Sequence, residues 1–258
     1  MMHPTSRLTA DEQTRYARQT ILPGMGEEGQ LRLKQASVFI VGCGGLGSPA
    51  AMYLAAAGIG RLGLCDFDNV EASNLQRQLL HSEQSVGTPK LESAASRLSG
   101  LRSDLDIVLH EKPFTADSIE TVRGYDILLD ASDNYETRDA LNRAALALGI
   151  PLVSAAVSQY GGQVTVYAPH LGGPCYRCAV PEIPVPGTYP TPAQLGIMGA
   201  VAGTLGCMEA METIKLITGA GQPLIGTMLH LDLLTGKATR IALPRDPSCP
   251  ACHTDTSA

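Results

Sequence analysis

Tryptophan is absent from this sequence, and aromatic residues make up 4% of its 258 positions. Stacking platforms for single-stranded nucleic acid are built from exposed rings, so that mode of binding is not expected. Charge is sparse, at 17%, and its balance is acidic, with a formal net charge of −6. Nucleic-acid binding draws its affinity from cations facing phosphates, so neither DNA nor RNA is an expected partner. A stretch of about 20 uninterrupted apolar residues, enough to span a bilayer, is also missing. The most apolar segment, residues 197–217, is broken by Glu209, Glu212 and Lys215 and reads as a buried soluble helix. Residues 1–19 are polar and mixed in charge, without the apolar centre of a secretion signal. The expectation is a cytoplasmic protein with no membrane partner. Its seven cysteines (Cys43, Cys65, Cys175, Cys178, Cys207, Cys249 and Cys252) are an odd number without that signal, which argues against a disulfide framework.

What is present is core-forming material: 44% of residues are hydrophobic. The length suits one large domain or two small ones. Short β-branched runs alternate with helical stretches. Residues 11–35 read as an amphipathic helix pair or a helix plus turn, broken at Pro23-Gly24, 37–42 as a buried strand, and 48–57 as an alanine-rich helix stopped by Gly58. Strands are expected at 61–66, 105–110, 126–130 and 151–156, with helices at 89–98 and 136–148. This alternation predicts an α/β fold, a Rossmann-like doubly wound, mostly parallel sheet. After Gly162 the rhythm changes. Residues 163–168, 227–233 and 238–243 read as antiparallel strands extending the sheet, around one long helix near 197–218. Residues 181–192, with Pro181, Pro184, Pro186, Pro190 and Pro192, read as a mobile loop. The whole chain is taken as one domain, with a nucleotide-binding half at about 36–160 and a second half at about 161–252.

The chemistry starts at Gly42-Cys43-Gly44-Gly45-Leu46-Gly47, which closes a strand and opens a helix. Glycines let backbone N–H groups approach a phosphate, and the helix N-terminus adds partial positive charge. Asp66 ends the next strand, where a carboxylate can bind a ribose hydroxyl. This spacing alone serves a nicotinamide enzyme and an ATP user equally. Downstream come Asp66-Phe67-Asp68, then Ser73-Asn74-Leu75-Gln76-Arg77-Gln78, Pro89-Lys90 and Asp130-Ala131-Ser132-Asp133-Asn134. Hydride transfer has no clear use for these cations and acids. A triphosphate needs cations against its charge and a carboxylate for magnesium.

Two CxxC pairs, Cys175/Cys178 and Cys249/Cys252, can supply four thiolates to one tetrahedral zinc. Redox dithiols are the alternative; they usually stand at a helix start, whereas both pairs here fall in Pro/Gly-rich turns. A closed four-thiolate site leaves no open coordination position, so the zinc is expected to be structural.

Several segments together resemble the MoeB/ThiF/HesA family, bacterial relatives of ubiquitin-activating enzymes. They are Arg15–Gln19, Leu22–Gln30, Val41–Gly60, Asp66–His81, Val86–Lys90, Leu128–Asn134, Pro174–Cys178 and Cys249–Cys252. The resemblance implies an ATP- and magnesium-dependent adenylyltransferase acting on the C-terminal Gly-Gly of a ubiquitin-like sulfur carrier, MoaD- or ThiS-like, and releasing pyrophosphate. It implies Gly42, Gly44, Gly45 and Gly47 at the phosphates and Asp66 on the ribose. It implies Asn74, Arg77 and Lys90 on the triphosphate, and Asp133 on magnesium with help from Asp68. Arg18 resembles an arginine that reaches into a partner subunit's site, which implies a homodimer.

The pattern breaks at one place. Family members that link covalently to their carrier often have a cysteine in the loop before the long helix, where this chain has Pro192 in Pro192-Ala193-Gln194-Leu195-Gly196. Cys207 is expected to be buried and inert, and Cys43 and Cys65 to be packing residues. His81 is expected to be structural. The enzyme is therefore expected to stop at the acyl-adenylate. With six residues after Cys252 no rhodanese-like extension is expected, so sulfur would come from another protein. The competing readings are a nicotinamide-dependent oxidoreductase, a non-catalytic zinc-stabilised scaffold, and an adenylyltransferase that modifies a peptide or tRNA.

Overall fold

A computed structural model describes residues 7–185, 187–188 and 192–253. Eight strands form one sheet in the order β3-β2-β1-β4-β5-β6-β7-β8. The first five are β1 (Ser37–Val41), β2 (Arg61–Cys65), β3 (Asp106–His110), β4 (Ile127–Asp130) and β5 (Leu152–Ser158). They pair in parallel. β6 (Gly161–Tyr167), β7 (Thr227–Asp232) and β8 (Lys237–Ala242) continue the sheet antiparallel. The structure is thus an α/β fold on a mostly parallel mixed sheet, as the alternation and its break after Gly162 predict.

Every residue of β1 is buried, as a central parallel strand requires. Its alternating side chains divide between two layers. Val38 and Ile40 join a core with α3 (Gly47–Ala57) and α8 (Gly199–Thr218), whereas Phe39 and Val41 join Phe114, Tyr125 and α5 (Tyr135–Leu148) on the other face. α4 (Lys90–Leu101) packs beside α3.

The N-terminal helix pair is α1 (Ala10–Thr20) and α2 (Gly26–Gln35), broken where Pro23-Gly24 predicts. A capping box starts α1: Thr9 Oγ1 accepts from the Glu12 N–H at 3.2 Å, and Glu12 Oε2 accepts from the Thr9 N–H at 2.8 Å. Two short helices were not foreseen, α6 (Tyr176–Ala179) and α7 (Pro192–Leu195), nor was the 3-10 segment Ala116–Val122. Each is a few residues long, too short for hydrophobic periodicity to register. Of the expected proline loop, Pro186 and Pro190 lie outside the described residues; residues 181–185 carry no regular structure. No helix among the described residues is long and apolar enough to cross a membrane.

Candidate functional site

The sheet grows outward from β1 in both directions, to β2 and β3 on one side and to β4 and β5 on the other. Ligands bind α/β sheets at such a switch point, beyond the carboxyl ends of the strands. The chain turns there at Gly42, with φ +99°, a region that favours glycine. A Cβ at Gly42 would stand 2.6 Å from the Ala131 carbonyl oxygen at the end of β4. A cavity of about 240 Å³ opens at this point, with Gly42, Gly44, Gly45, Asp66, Arg77, Lys90 and Asp133 in its wall.

The loop is held at both backbone polar groups of one residue, Cys43. Asp66 Oδ2 accepts from the Cys43 N–H at 2.8 Å. His81 Nε2 stands 3.1 Å from the Cys43 carbonyl oxygen, and its Nδ1 stands 2.9 Å from Ser93 Oγ on α4. Burial holds the His81 pKa below its usual value. Lys90, buried at the start of α4, reaches Asp68 Oδ2 at 2.8 Å. Asp68, expected beside magnesium, is therefore engaged by a cation. The Arg77 stem packs over Gly45, where a Cβ would come 3.4 Å from Arg77 Cγ. Its guanidinium donates to the Ser73 carbonyl at 3.0 Å and has no carboxylate partner among the described residues. Asp133 is exposed in the cavity wall, with no hydrogen bond or ion pair on its carboxylate among the described residues.

Three expected residues stand elsewhere. Gly47 does not line the cavity; a Cβ there would strike the Gly42 carbonyl oxygen at 1.8 Å, so its want of a side chain serves close helix–loop packing. Asn74 is also outside the wall. Buried in a 3-10 turn, it accepts from the Glu71 N–H at 3.2 Å and shapes the segment that carries Arg77. Arg18 is exposed on α1. The next residue, Gln19, donates to the Ala57 carbonyl at 3.1 Å, at the end of α3. The glycine loop stands at the other end of that helix, about 16 Å away. Arg18 therefore cannot reach the cavity of its own chain.

The wall also holds two residues that sequence reasoning passed over. Gln78 is buried with its Oε1 unpartnered. Its signal was its place in the Asn74–Gln78 motif. Arg138 is one helical turn beyond Asn134, whose side chain accepts from the Thr137 N–H at 2.8 Å and caps α5. Behind Arg138, Asp130 is buried. Glu209 on α8 is fully buried, with both carboxyl oxygens unpartnered. Burial pushes the Glu209 carboxyl well above the usual carboxylate range, and the Asp130 charge adds to this. The nearby Ala155 amide and Arg138 favour the charged form, but the amide does not reach hydrogen-bonding geometry.

A second cavity, of about 800 Å³, adjoins the first. The β5–β6 hairpin, β7 and α5 line it, and it shares Asp133, Asn134, Arg138 and Val157 with the smaller cavity.

The four paired cysteines converge. Cys175 and Cys249 sulfurs are 3.6 Å apart, Cys178 and Cys252 sulfurs 3.5 Å, and all four lie within 4.8 Å of one another. Four thiolates at about 2.3 Å from one zinc would stand about 3.8 Å apart, so the set fits that ion. One expectation needs correction: Cys175 caps the one-turn helix α6 rather than lying in a plain turn. The convergence of the second pair, not the absence of a helix, is what favours a metal over a redox dithiol. Of the other thiols, Cys43 and Cys65 are buried, and burial pushes the Cys65 thiol up to about 12. Cys207 is half-buried rather than buried as expected, and burial raises its thiol pKa as well.

Fold and site together define an α/β protein on a mostly parallel mixed sheet, with a glycine-loop cavity at its switch point and a four-cysteine cluster. The ThiF family description matches residues 16–251, and the chain belongs to the ThiF family. It is 49% identical over 251 residues to mouse "Adenylyltransferase and sulfurtransferase MOCS3", covering 96% of this chain and 54% of that one. The chain thus spans about half the length of the MOCS3 relatives it matches. Thermus thermophilus "Sulfur carrier protein adenylyltransferase" is 44% identical, over 95% of this chain and 93% of that one. Haloferax volcanii "SAMP-activating enzyme E1" is 44% identical, over 96% and 92%. Among solved structures, Escherichia coli MccB with ATP superposes with a TM-score of 0.75 at 25% identity, over 87% of this chain and 69% of that one.

Proposed function

We propose that this chain is an ATP-dependent adenylyltransferase. It activates the C-terminal Gly-Gly carboxylate of a ubiquitin-like sulfur carrier, MoaD- or ThiS-like, as an acyl-adenylate. The observation that carries this reading is the junction of two cavities at Asp133 and Arg138: a glycine-loop pocket lined by cations opens into a groove roomy enough for a chain terminus. The names of the relatives, which refer to adenylyltransferases and to activation of carrier proteins, point the same way.

A terminal carboxylate has a pKa near 3.5 and is already ionised at pH 7, so no general base is needed. Its oxygen attacks the α-phosphorus of ATP. The new O–P bond forms as the bond to the bridging β-phosphate oxygen breaks, and pyrophosphate leaves. The obstacle is bringing two anions together. Arg77 and Lys90 offset charge on the phosphates, the loop from Gly42 to Gly47 supplies N–H donors, and Asp66 holds loop and ribose in register. Asp133, without a partner for its carboxylate among the described residues, would hold magnesium, which supplies further charge neutralisation.

The rest of the reading follows. Residues 1–258 act as a single adenylyltransferase domain, with the nucleotide half at about 36–160 and the carrier-binding and zinc half at about 161–252. Cys175, Cys178, Cys249 and Cys252 hold one structural zinc. Arg18, too distant from its own cavity, acts in the site of a partner subunit in a homodimer. The protein works in the cytoplasm, and a separate sulfurtransferase supplies the sulfur. With Pro192 in place of the loop cysteine and with Cys43 and Cys65 buried as thiols, the reaction ends at the acyl-adenylate.

The test is ATP–pyrophosphate exchange measured with MoaD-like and ThiS-like carriers. Exchange should require both a carrier ending in Gly-Gly and magnesium. A protein that binds ATP yet exchanges pyrophosphate with none of these carriers would count against the reading.

A further inference from the structure

Among the described residues, Arg138 is the only arginine or lysine that lines both cavities; Arg77 and Lys90 line the nucleotide-sized one alone. Its guanidinium is anchored at one end. Nη2 donates to the Ser132 carbonyl at 3.0 Å and lies 3.4 Å from the Ala155 carbonyl. Nε stands 3.5 Å from Asp130 Oδ2, buried and without a hydrogen bond. The Asp130 oxygens are taken by other donors: the Ser132 N–H at 3.1 Å, Ser132 Oγ at 2.5 Å and Ser154 Oγ at 2.7 Å. Asp130 therefore fixes the strand ends around Arg138 without occupying its donors. Nη1 has no protein acceptor among the described residues.

A cation anchored through Nη2, with the two N–H groups of Nη1 left over in a side chain that lines both cavities, is arranged for an anion that arrives from outside. A phosphate already has Arg77, Lys90 and the glycine loop. An anion entering by the larger groove meets Arg138. A guanidinium N–H donates a charge-assisted hydrogen bond to one carboxylate oxygen. Resting on the adenylyltransferase reading, we propose that Arg138, through Nη1, recognises the acceptor's terminal carboxylate and turns it toward the α-phosphate. Arg138 is then the residue that distinguishes a free chain terminus from an uncharged one.

The experiment measures equilibrium binding of the MoaD- or ThiS-like carrier that supports wild-type exchange. It is offered as the free acid and as the C-terminal amide, with a non-hydrolysable ATP analogue present. Wild type should prefer the acid by about 10- to 100-fold, the effect of one charge-assisted hydrogen bond. In Arg138→Ala the preference should vanish while affinity for the analogue alone changes less than two-fold. Arg138→Lys should restore part of the preference. If Arg138→Ala does not fold, Arg138→Gln, which keeps a neutral donor in the same space, should show the same loss. A variant that keeps the acid preference, or that loses nucleotide affinity while keeping it, overturns the assignment. So does a wild type that supports exchange but binds acid and amide equally. A wild type that supports no exchange overturns the parent reading instead.

Discussion

Asp66 Oδ2 accepts a hydrogen bond from the Cys43 N–H at 2.8 Å, so the carboxylate that ends β2 holds the glycine loop that ends β1. One side chain thus joins two strand ends at the smaller cavity. Its other oxygen accepts from the Asp68 N–H at 3.0 Å, and Asp68 in turn holds Lys90. Replacing Asp66 by Ala should therefore weaken ATP binding by about 10- to 100-fold, since a hydrogen bond to a charged group contributes about 1.5–3 kcal/mol. Calorimetric titration with ATP checks this. Unchanged affinity in a folded variant would remove Asp66 from the site.

Arg77 and Asp133 face the cavity without an ion-pair partner among the described residues, so removing either should leave the fold intact. Arg77→Ala and Asp133→Ala should each lower carrier-dependent pyrophosphate exchange by about 10²–10³, the usual cost of one electrostatic contact in a transition state. Thermal melts run in parallel should stay within a few degrees of wild type. Wild-type exchange rates in both variants would withdraw these roles.

The four cysteine sulfurs are spaced for one divalent ion, which would tie residues 249–252 to α6. Elemental analysis should find one zinc per chain. Cys249→Ser should lose the metal and lower the melting temperature. Metal-replete protein without zinc would contradict the reading, as would a Cys249→Ser variant as stable as wild type.

Glu209 is buried without a hydrogen-bond partner among the described residues, and burial holds its carboxyl protonated well above the usual carboxylate pKa. The native state then binds a proton that the unfolded state releases above about pH 4.3. Stability from this group is full below that value and is lost as pH rises toward the raised native pKa, at up to about 1.4 kcal/mol per pH unit. Glu209→Gln keeps the shape and removes the titration. Denaturant melts from pH 5 to 8 should therefore show a shallower loss of stability in the variant than in wild type. Parallel curves would show that Glu209 does not titrate differently on folding.

The sequence was informative where chemistry is local. The strand–glycine–helix turn at Ser37–Ala57 was legible because its signals, a β-branched run and a helix start, lie within one short segment. The break between α1 and α2 was legible at Pro23-Gly24 for the same reason. The helical cap at Cys175 was not, because one turn of helix leaves no period to detect. Of the residues singled out by motif, Gly42, Gly44, Gly45, Asp66, Asp68, Arg77, Lys90 and Asp133 line one cavity, but the division into cavity wall and support was not visible in the sequence. Gly47 and Asn74 share motifs with Gly44 and Arg77 yet face the packing rather than the cavity.

By itself the sequence determined the alternation that builds the sheet, the glycine turn between strand and helix and the two cysteine pairs, since each depends on neighbours along the chain. Tertiary structure alone decided that the cysteine pairs meet, that Arg18 is remote from its own cavity, that Arg138 stands between two cavities and that Glu209 is sealed away from water. These are consequences of which distant segments pack together, and burial and charge pairing across such contacts leave no mark in local composition or period.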